Sequence, residues 1–250
     1  MRHTQKDLRK GTAFERLRLN AGSIHSFFIE DSLLSFLERN IATMRGRLLD
    51  VGCGDMRYKP IVLNSDITEY VGLDLEAGHY GHAFKPDVFW DGVTMPFSDN
   101  SFDSALLFET LEHCTYDQAR GVLKEIARVL RPGGVLLFTI PFINPLHGLP
   151  YDYQRLTPEG MRVLMQVSDM HVTGMEPNGS HDASLATVLA IWIIHRPMPR
   201  LIRKVLRKLV VIPIRCLLWM DKRQPKVHAE NSLSPGLFGC ATPSTKSKTT

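Results

Sequence analysis

The sequence predicts one α/β domain built on a doubly wound, mostly parallel β-sheet. Short apolar segments, which suit strands buried on both faces, alternate with amphipathic helical segments. The first predicted strand, 47–51, runs directly into a turn with two glycines, as is typical of the ligand-binding end of such sheets. The 250 residues, 44% of them hydrophobic, suffice for one core and exclude a largely disordered or fibrous chain.

The elements follow in order along the chain. Helical spacing of apolar residues over 14–45 assigns residues 1–45 to an N-terminal helical segment, and 46–241 forms the main domain. A helix with one apolar stripe is predicted from Asp117 to Leu130, and another begins after the N-cap residue Thr157. Seven strands are expected, at 47–51, 70–74, 88–90, 104–108, 135–140, 172–175 and 236–241. A basic helical insertion at about 183–223 precedes the last strand, and 242–250 is predicted to be a disordered tail.

The glycine-rich turn is the strongest local signal of a binding site. Gly52 and Gly54 follow the first strand, where glycine lets the backbone pass close to a ligand and take a positive φ. A tight strand-to-helix turn without a ligand would look the same. However, Asp74 ends the next strand twenty residues later, where a carboxylate can accept hydrogen bonds from ribose hydroxyls. Arg57 replaces the third glycine of a dinucleotide-binding loop, which disfavours that alternative.

Four ordered segments within about residues 45–165 resemble motifs of the class I S-adenosylmethionine-dependent methyltransferases with a type 11-like domain. They are LLDVGCGD (48–55), YVGLDLE (70–76), WDGVTMPFSDNSFD (90–103) and ARVLRPGGVLLFTIP (127–141). The resemblance implies a seven-stranded Rossmann-like sheet and S-adenosylmethionine as cofactor. Met56 departs from the commonest G-x-G-x-G form of the first motif.

The resemblance also implies a cofactor site. Its members are Asp50, Gly52 and Gly54 beside the methionine part, Asp74 at the ribose, Asp91 with Gly92 at the adenine edge, and Glu109 on the floor near the sulfonium. Acids at strand ends would offset the positive groups of the cofactor, while turn amides meet its carboxylate. Two alternatives stay open: Asp91 as a turn acid preceding Pro96, and Glu109 together with Glu112 as acids at the start of a solvated helix.

A loop after the fifth strand is the expected acceptor side of the site. His147 to Thr157 resembles the H-x-x-P-x-D-Y-x-R-x-T stretch of one methyltransferase subgroup, many of whose members are associated with bacterial cell-envelope or glycan pathways. His147 is the expected general base, because an imidazole titrates near neutral pH, with His113 as its competitor. The expected positioning groups are Tyr151, Asp152 and Arg155. The alternative is a structural loop in which Asp152 and Arg155 pair. The remaining histidines show no metal-ligand spacing, and no metal is predicted.

The positive charge is concentrated in one segment. Residues 196–223 hold nine Lys/Arg and one acid, a local net charge of +8 compared with +4 for the whole chain. The helix at 200–210 divides into an apolar half and a basic half, so an anionic membrane surface is the predicted partner of 196–223. An ordinary surface helix that covers the sheet is the alternative. Nucleic acid is disfavoured, because basic and aromatic residues do not interleave.

These observations predict an S-adenosylmethionine-dependent enzyme that O-methylates a glycan or lipid-linked cell-envelope intermediate. The alternatives are a methyltransferase for a quinone-like or other small lipid-soluble acceptor, and a non-catalytic, membrane-associated cofactor-binding scaffold. The four dispersed cysteines fit a reducing cytoplasm. The expected location is therefore cytoplasmic and peripheral on the inner face of the membrane.

Overall fold

Seven strands form one mixed sheet. The computed structural model describes residues 19–20, 23, 27–76, 85–224 and 233–244. The strands are β1 (Gly46–Val51), β2 (Ile67–Leu75), β3 (Val88–Trp90), β4 (Phe102–Phe108), β5 (Leu130–Pro141), β6 (Met170–Pro177) and β7 (Gly236–Pro243). Their order is β3-β2-β1-β4-β5-β7-β6. Strands β1 to β5 pair in parallel, whereas β7 is antiparallel to both β5 and β6. The predicted Rossmann-like sheet is confirmed.

The sheet reverses its winding between β1 and β4. β1 pairs with β2 on one side and with β4 on the other, so the chain leaves the ends of these two strands in opposite directions. Open α/β sheets bind ligands at such a switch point, outside the carboxyl ends of the strands. The segments after Val51 and Phe108 therefore border the crevice where a ligand is expected.

Helices cover both faces. They are α1 (Phe27–Asn40), α2 (Lys59–Val62), α3 (Tyr116–Val129), α4 (Pro158–Gln166), α5 (His181–His195) and α6 (Arg200–Asp221), with short 3-10 helices at Ile41–Thr43 and Leu111–His113. The start of α4 agrees with the prediction, because the Thr157 hydroxyl accepts from the Gly160 amide. The predicted stripe of α3 is buried throughout, at Ala119, Val122, Leu123, Ile126 and Val129.

Strand alternation sends neighbouring residues of β1 into two different cores. Leu48 packs in the cluster that holds Phe36 and Leu37 of α1, and Leu49 in the cluster that holds Ile126 of α3. Helix α1 thus packs on one face of the sheet and shares its core. Of the helical patterning predicted over 14–45, residues 14–18, 21–22 and 24–26 lie outside the described residues.

The region of the predicted helical insertion, about 183–223, contains two helices, α5 and α6. They follow β6 and precede β7 along the chain. Residues 196–199 separate them and contain Pro197 and Pro199, which cannot donate backbone hydrogen bonds to continue a helix. The two helices share a small core, with Ala183, Ala186, Ala190 and Ile193 from α5 and Val210, Ile214 and Leu218 from α6. Within the described part of the chain, no helix is long and apolar enough to cross a membrane.

The predicted boundary of the tail is wrong by two residues. β7 includes Thr242 and Pro243, which lie opposite His171 and Met170 of β6. A polar Thr-Pro pair gives no strand signal by itself, and pairing with the neighbouring strand determines where β7 ends. Residues 245–250 of the predicted tail lie outside the described residues.

Candidate active site

The turn after β1 has the backbone that the glycine pattern predicts. Gly52 has a φ of +70°, and a Cβ added there would lie 2.5 Å from the Thr110 Oγ1 atom. Only glycine fits this position without displacing the residues that follow β4. Gly54 and Met56 also have positive φ, of 52° each. Met56 therefore adopts the left-handed conformation that glycine takes most readily, although its side chain departs from the commonest motif.

Asp74 joins the end of β2 to this turn. Its Oδ2 atom accepts from the Gly54 amide at 2.9 Å, and its Oδ1 atom accepts from the Leu75 amide at 2.7 Å. Asp74 is buried, and that burial raises the pKa of the carboxyl group. The two parts of the predicted ribose and methionine site are therefore in direct contact.

Asp50 lies within β1 and has a different environment. The side chain is buried, and the Tyr70 hydroxyl donates a hydrogen bond to the carboxylate. Desolvation raises the pKa of Asp50 to about 7, against the opposing effect of the Tyr70 hydrogen bond. Tyr70 was not predicted from the sequence, because an aromatic residue in a strand ordinarily indicates core packing. A role for Asp50 beside the methionine part of the cofactor stays a prediction.

Asp91 and Gly92 form an exposed turn after β3. The Asp91 Oδ1 atom accepts from the backbone amides of Thr94 and Val93, at 2.9 and 2.8 Å, and these bonds lower the pKa of the carboxyl group. Gly92 has a φ of +80°. These contacts are those of the turn-acid alternative, and the proposed contact with the adenine edge remains a prediction.

Glu109 follows β4 directly. Its backbone has a φ of 48°, and its amide donates to the Thr139 hydroxyl at 3.1 Å. Desolvation and, as a smaller effect, the nearby negative charge of Glu112 raise the pKa of Glu109 to about 8. Glu109 is only partly buried and precedes the short 3-10 helix Leu111–His113, whereas α3 begins at Tyr116. Its place beside the sulfonium and the helix-start alternative therefore both remain predictions.

The loop at 147–157, called the acceptor loop below because it is the predicted acceptor side, folds back onto the 3-10 helix Leu111–His113. The Tyr153 amide donates to the Glu112 carbonyl at 2.8 Å. The Gln154 side chain donates to the Leu111 and Cys114 carbonyls at 2.9 and 3.0 Å. These three hydrogen bonds hold the loop after β5 against the end of β4. Neither Tyr153 nor Gln154 was among the predicted site residues.

Asp152 organises the loop from within. The side chain is fully buried and accepts a hydrogen bond from the His147 amide at 2.9 Å. It also forms a bidentate ion pair with Arg155. The guanidinium of Arg155 holds the pKa of Asp152 at about 2. This is the pairing of the structural-loop alternative. Asp152 also holds the backbone of His147 through the amide hydrogen bond. The same contacts therefore stabilise the loop and position His147.

The two candidate bases lie side by side. The ring centroids of His113 and His147 are 4.8 Å apart. Both Nε2 atoms approach the Oε1 atom of the fully buried Glu112, at 3.8 and 3.6 Å. The Glu112 carboxylate raises the pKa of His147, and partial burial opposes that effect.

Tyr151 contributes to this arrangement through its backbone. Its carbonyl oxygen lies 2.6 Å from the Nδ1 atom of His113, whereas its side chain is half exposed. Tyr151 was predicted to be a positioning residue, and in the structure its backbone carbonyl is the group that contacts His113. Glu112, which was not among the predicted site residues, is the residue that both imidazoles approach.

Helix α6 has three faces instead of the two that the sequence predicts. Of the predicted apolar half, only Val210 is buried, while Leu201, Ile202, Val205 and Leu209 are exposed. The buried side also contains the partly buried Arg203 and Arg207. The helix therefore does not cover the sheet with its apolar half. Among the described residues, an apolar face of α6 is open to solvent, and it lies beside the exposed cations Arg200, Lys204, Lys208 and Arg215.

The switch-point crevice, the glycine turn and the acid at the end of β2 together define a class I S-adenosylmethionine-dependent methyltransferase domain. Residues 49–138 match the family model described as a methyltransferase domain. Among solved structures, the chain is similar to a methyltransferase from Archaeoglobus fulgidus (14% identity, TM-score 0.51, 86% of this chain and 96% of that one). It is also similar to the [4+2]-cyclase SpnF (19% identity, TM-score 0.51, 87% and 82%). The family match and the strand order identify residues 49–138 as a class I methyltransferase domain, and S-adenosylmethionine is the cofactor of this domain.

Curated relatives match over part of their length. A 27-O-demethylrifamycin SV methyltransferase of Amycolatopsis mediterranei is 29% identical over 56% of this chain and 58% of the relative. A fatty-acid O-methyltransferase of Mycolicibacterium smegmatis is 31% identical over 53% and 50%. A demethylmenaquinone methyltransferase of Corynebacterium efficiens is 38% identical over 36% and 40%. The chain thus spans about half the length of these relatives, which act on chemically different acceptors.

Proposed function

We propose that this protein transfers a methyl group from S-adenosylmethionine to a hydroxyl group of an amphiphilic acceptor, a lipid-linked or glycan-bearing cell-envelope intermediate. One observation carries the proposal. The cofactor turn at Gly52 and the cluster of Glu112, His113 and His147 both follow strands that end at the same edge of the sheet. A methyl donor and a hydroxyl acceptor bound there would meet between them.

The side chains fit the cofactor. The glycines of the turn allow a ligand to approach the backbone closely, although the amides of Gly52 and Gly54 already donate to Leu73 and Asp74. The Asp74 carboxylate retains lone pairs for ribose hydroxyls. When bound, S-adenosylmethionine supplies a methyl group on a positively charged sulfur, and transfer forms one carbon–oxygen bond as one carbon–sulfur bond breaks, the electron pair staying on sulfur. Holding two reactants in line can contribute about 7 to 11 kcal/mol.

The acceptor side must also remove a proton. A hydroxyl is a weak nucleophile while protonated, and His147 is the group we assign to take that proton, with His113 as the alternative. Asp152 and Arg155 hold the His147 backbone, and the Tyr151 carbonyl orients His113. Glu112 would stabilise a positively charged imidazole next to it.

Two relatives support an acceptor with a lipid part, because one is a fatty-acid O-methyltransferase and another a demethylmenaquinone methyltransferase. The second of them keeps a quinone-like or other small lipid-soluble acceptor as the second candidate. A small apolar crevice lies between Phe28 of α1, Ala190 of α5 and Ile214 of α6, but it has room for little more than one water molecule and gives no support for a lipid tail.

The open face of α6 supports docking on an anionic membrane. Apolar side chains at Leu201, Leu209 and Ile212 are at least 60% exposed, and no acid occurs between 196 and 220 to repel anionic headgroups. Lys204 and Lys208 are exposed beside this face. Each cation near an anionic surface contributes about 1 kcal/mol, and inserted apolar area adds to it.

Vesicle sedimentation tests the membrane contact. The protein should sediment with vesicles rich in phosphatidylserine and be released as salt increases, because screening acts within about 8 Å at physiological ionic strength. Lys204→Glu combined with Lys208→Glu should abolish sedimentation. The control is the same double reversal at Lys85 and Lys124, which are exposed lysines elsewhere. Equal loss in the control, or equal binding to neutral vesicles, would contradict the proposal.

Methyl transfer itself is tested by the fate of a labelled methyl group. Purified protein with methyl-labelled S-adenosylmethionine and a membrane extract should transfer label to the lipid-extractable fraction, and base-stable label there would indicate an ether. Label in a quinone fraction would select the second candidate. Absence of label from lipid, polymer and aqueous fractions, with cofactor binding intact, would identify a non-catalytic scaffold. Asp74→Ala serves as the cofactor-binding control.

A further inference from the structure

Glu112 has an unusual environment for a carboxylate. It lies in the short helix Leu111–His113, it is 0% exposed, and neither of its side-chain oxygens has a hydrogen-bond partner among the described residues. Leaving a buried carboxylate without donors costs several kcal/mol. The position therefore requires a positive group close to these oxygens.

The orientation of the neighbouring imidazoles indicates which positive group this is. The Nδ1 atom of His113 lies 2.6 Å from the Tyr151 carbonyl oxygen, and that of His147 lies 3.1 Å from the Pro145 carbonyl oxygen. A carbonyl oxygen only accepts, so each Nδ1 atom carries a proton. In a neutral imidazole the Nε2 atom then has a lone pair, and both Nε2 atoms lie on the side of Glu112.

The separations suit a shared cation better than direct hydrogen bonds. The Nε2 atoms lie 3.8 and 3.6 Å from the Glu112 Oε1 atom, which is beyond hydrogen-bond range. Each of the three residues offers one ligand atom within 4.8 Å of the others. Two ligands at tetrahedral angles on a zinc-sized ion lie roughly 3.4 Å apart. Little movement would close the three atoms around one ion.

We propose that Glu112, His113 and His147 bind one divalent transition-metal ion of the zinc type. Two imidazoles and one carboxylate are a ligand set that such ions accept, and three protein ligands leave a coordination position open. The carbonyl contacts at both Nδ1 atoms are the outer hydrogen bonds that ligating histidines ordinarily make. His113 and His147 are each about one-third exposed, so the open position faces the solvent side of the site.

This inference rests on the proposed function only for the role of the ion. A hydroxyl oxygen in the open position would lose its proton to solvent more readily, because a bound cation lowers the pKa of a coordinated hydroxyl group. His147 would then act as a ligand, and the cation would replace it in activating the acceptor. Binding of the ion itself is independent of any acceptor.

The experiment uses Co²⁺ as a spectroscopic probe. The full chain is stripped with a chelator and titrated with Co²⁺, and we expect one equivalent to bind with the visible absorption of a four- or five-coordinate site. Zn²⁺ should displace it. Glu112→Gln removes one ligand with little change in shape and should weaken Co²⁺ binding by more than about 100-fold, since loss of an outer-shell partner alone costs about 10- to 100-fold.

The control is His171→Ala, which removes an exposed imidazole from β6 and should leave Co²⁺ binding unchanged. Calorimetry with S-adenosylhomocysteine verifies that each variant is folded. Absence of a stoichiometric Co²⁺ or Zn²⁺ site, or equal binding by Glu112→Gln, would overturn the inference. If the stripped protein methylates its acceptor at the full rate, the ion has no part in the reaction. If the ion binds but no fraction is methylated, the proposed function fails and the metal site stands.

Discussion

Asp74→Ala is the most direct test of the cofactor site. The Asp74 carboxylate accepts two backbone hydrogen bonds, from Gly54 at 2.9 Å and from Leu75 at 2.7 Å, and it is also the predicted partner of the ribose hydroxyls. A hydrogen bond that involves a charged group contributes about 1.5 to 3 kcal/mol. Loss of the ribose contact should therefore raise the dissociation constant of the cofactor about 10- to 150-fold. Loosening of the Gly54 amide would act in the same direction.

Calorimetric titration with S-adenosylmethionine and S-adenosylhomocysteine measures this change. Asp74→Asn keeps one acceptor oxygen and should lose less affinity than the alanine variant. Asp99→Ala is a matched control, because Asp99 is an exposed acid that pairs with Arg128. A folded Asp74→Ala protein whose dissociation constant stays within about twofold of the wild-type value would refute the ribose assignment.

Three further predictions concern the turn after β1, helix α3 and Asp50 of β1. Gly52→Ala should lower the free energy of unfolding by about 1 to 3 kcal/mol and weaken cofactor binding, because its Cβ would meet Thr110 at positive φ. Gly121→Ala has open space within α3 and should stabilise the protein by about 0.5 to 1 kcal/mol. Because the pKa of Asp50 is raised to about 7, the associated stability is present below pH 4 and is lost as the pH rises to 7. Asp50→Asn should therefore gain about 2 to 3 kcal/mol relative to the wild type between pH 5 and 7 in urea titrations; parallel pH profiles would exclude a raised pKa.

Local sequence determined the elements of this fold. Continuous apolar segments identified the strands because both faces of a parallel sheet are buried, and the stripe of α3 showed which side of the helix would face the core. The residues at which strands end were harder to predict than the strands themselves. Thr242 and Pro243 extend β7 only because β6 is there to pair with them.

The candidate site likewise contains residues that local sequence indicates and contacts that only strand pairing creates. Gly52, Gly54 and Asp74 could be proposed as site residues from the sequence because a positive-φ turn and a position at the end of a strand are local properties, and the structure shows both. The direct hydrogen bond between the turn and Asp74 depends on the parallel pairing of β1 with β2. The pairing of Asp50 with Tyr70 depends on the same register and was not visible in the sequence.

The sequence by itself determined the fold class, the glycine turn after β1 and the excess of positive charge at 196–223, because apolar periodicity, glycine conformation and charge are properties of neighbouring residues. Only the tertiary structure decided that Glu112 and His113 meet His147, which lies more than thirty residues further on, through the hydrogen bonds of Tyr153 and Gln154. It also decided which face of α6 is buried. The physical reason is common to both: contact between distant segments depends on how the sheet and its loops pack, and no local pattern encodes that packing.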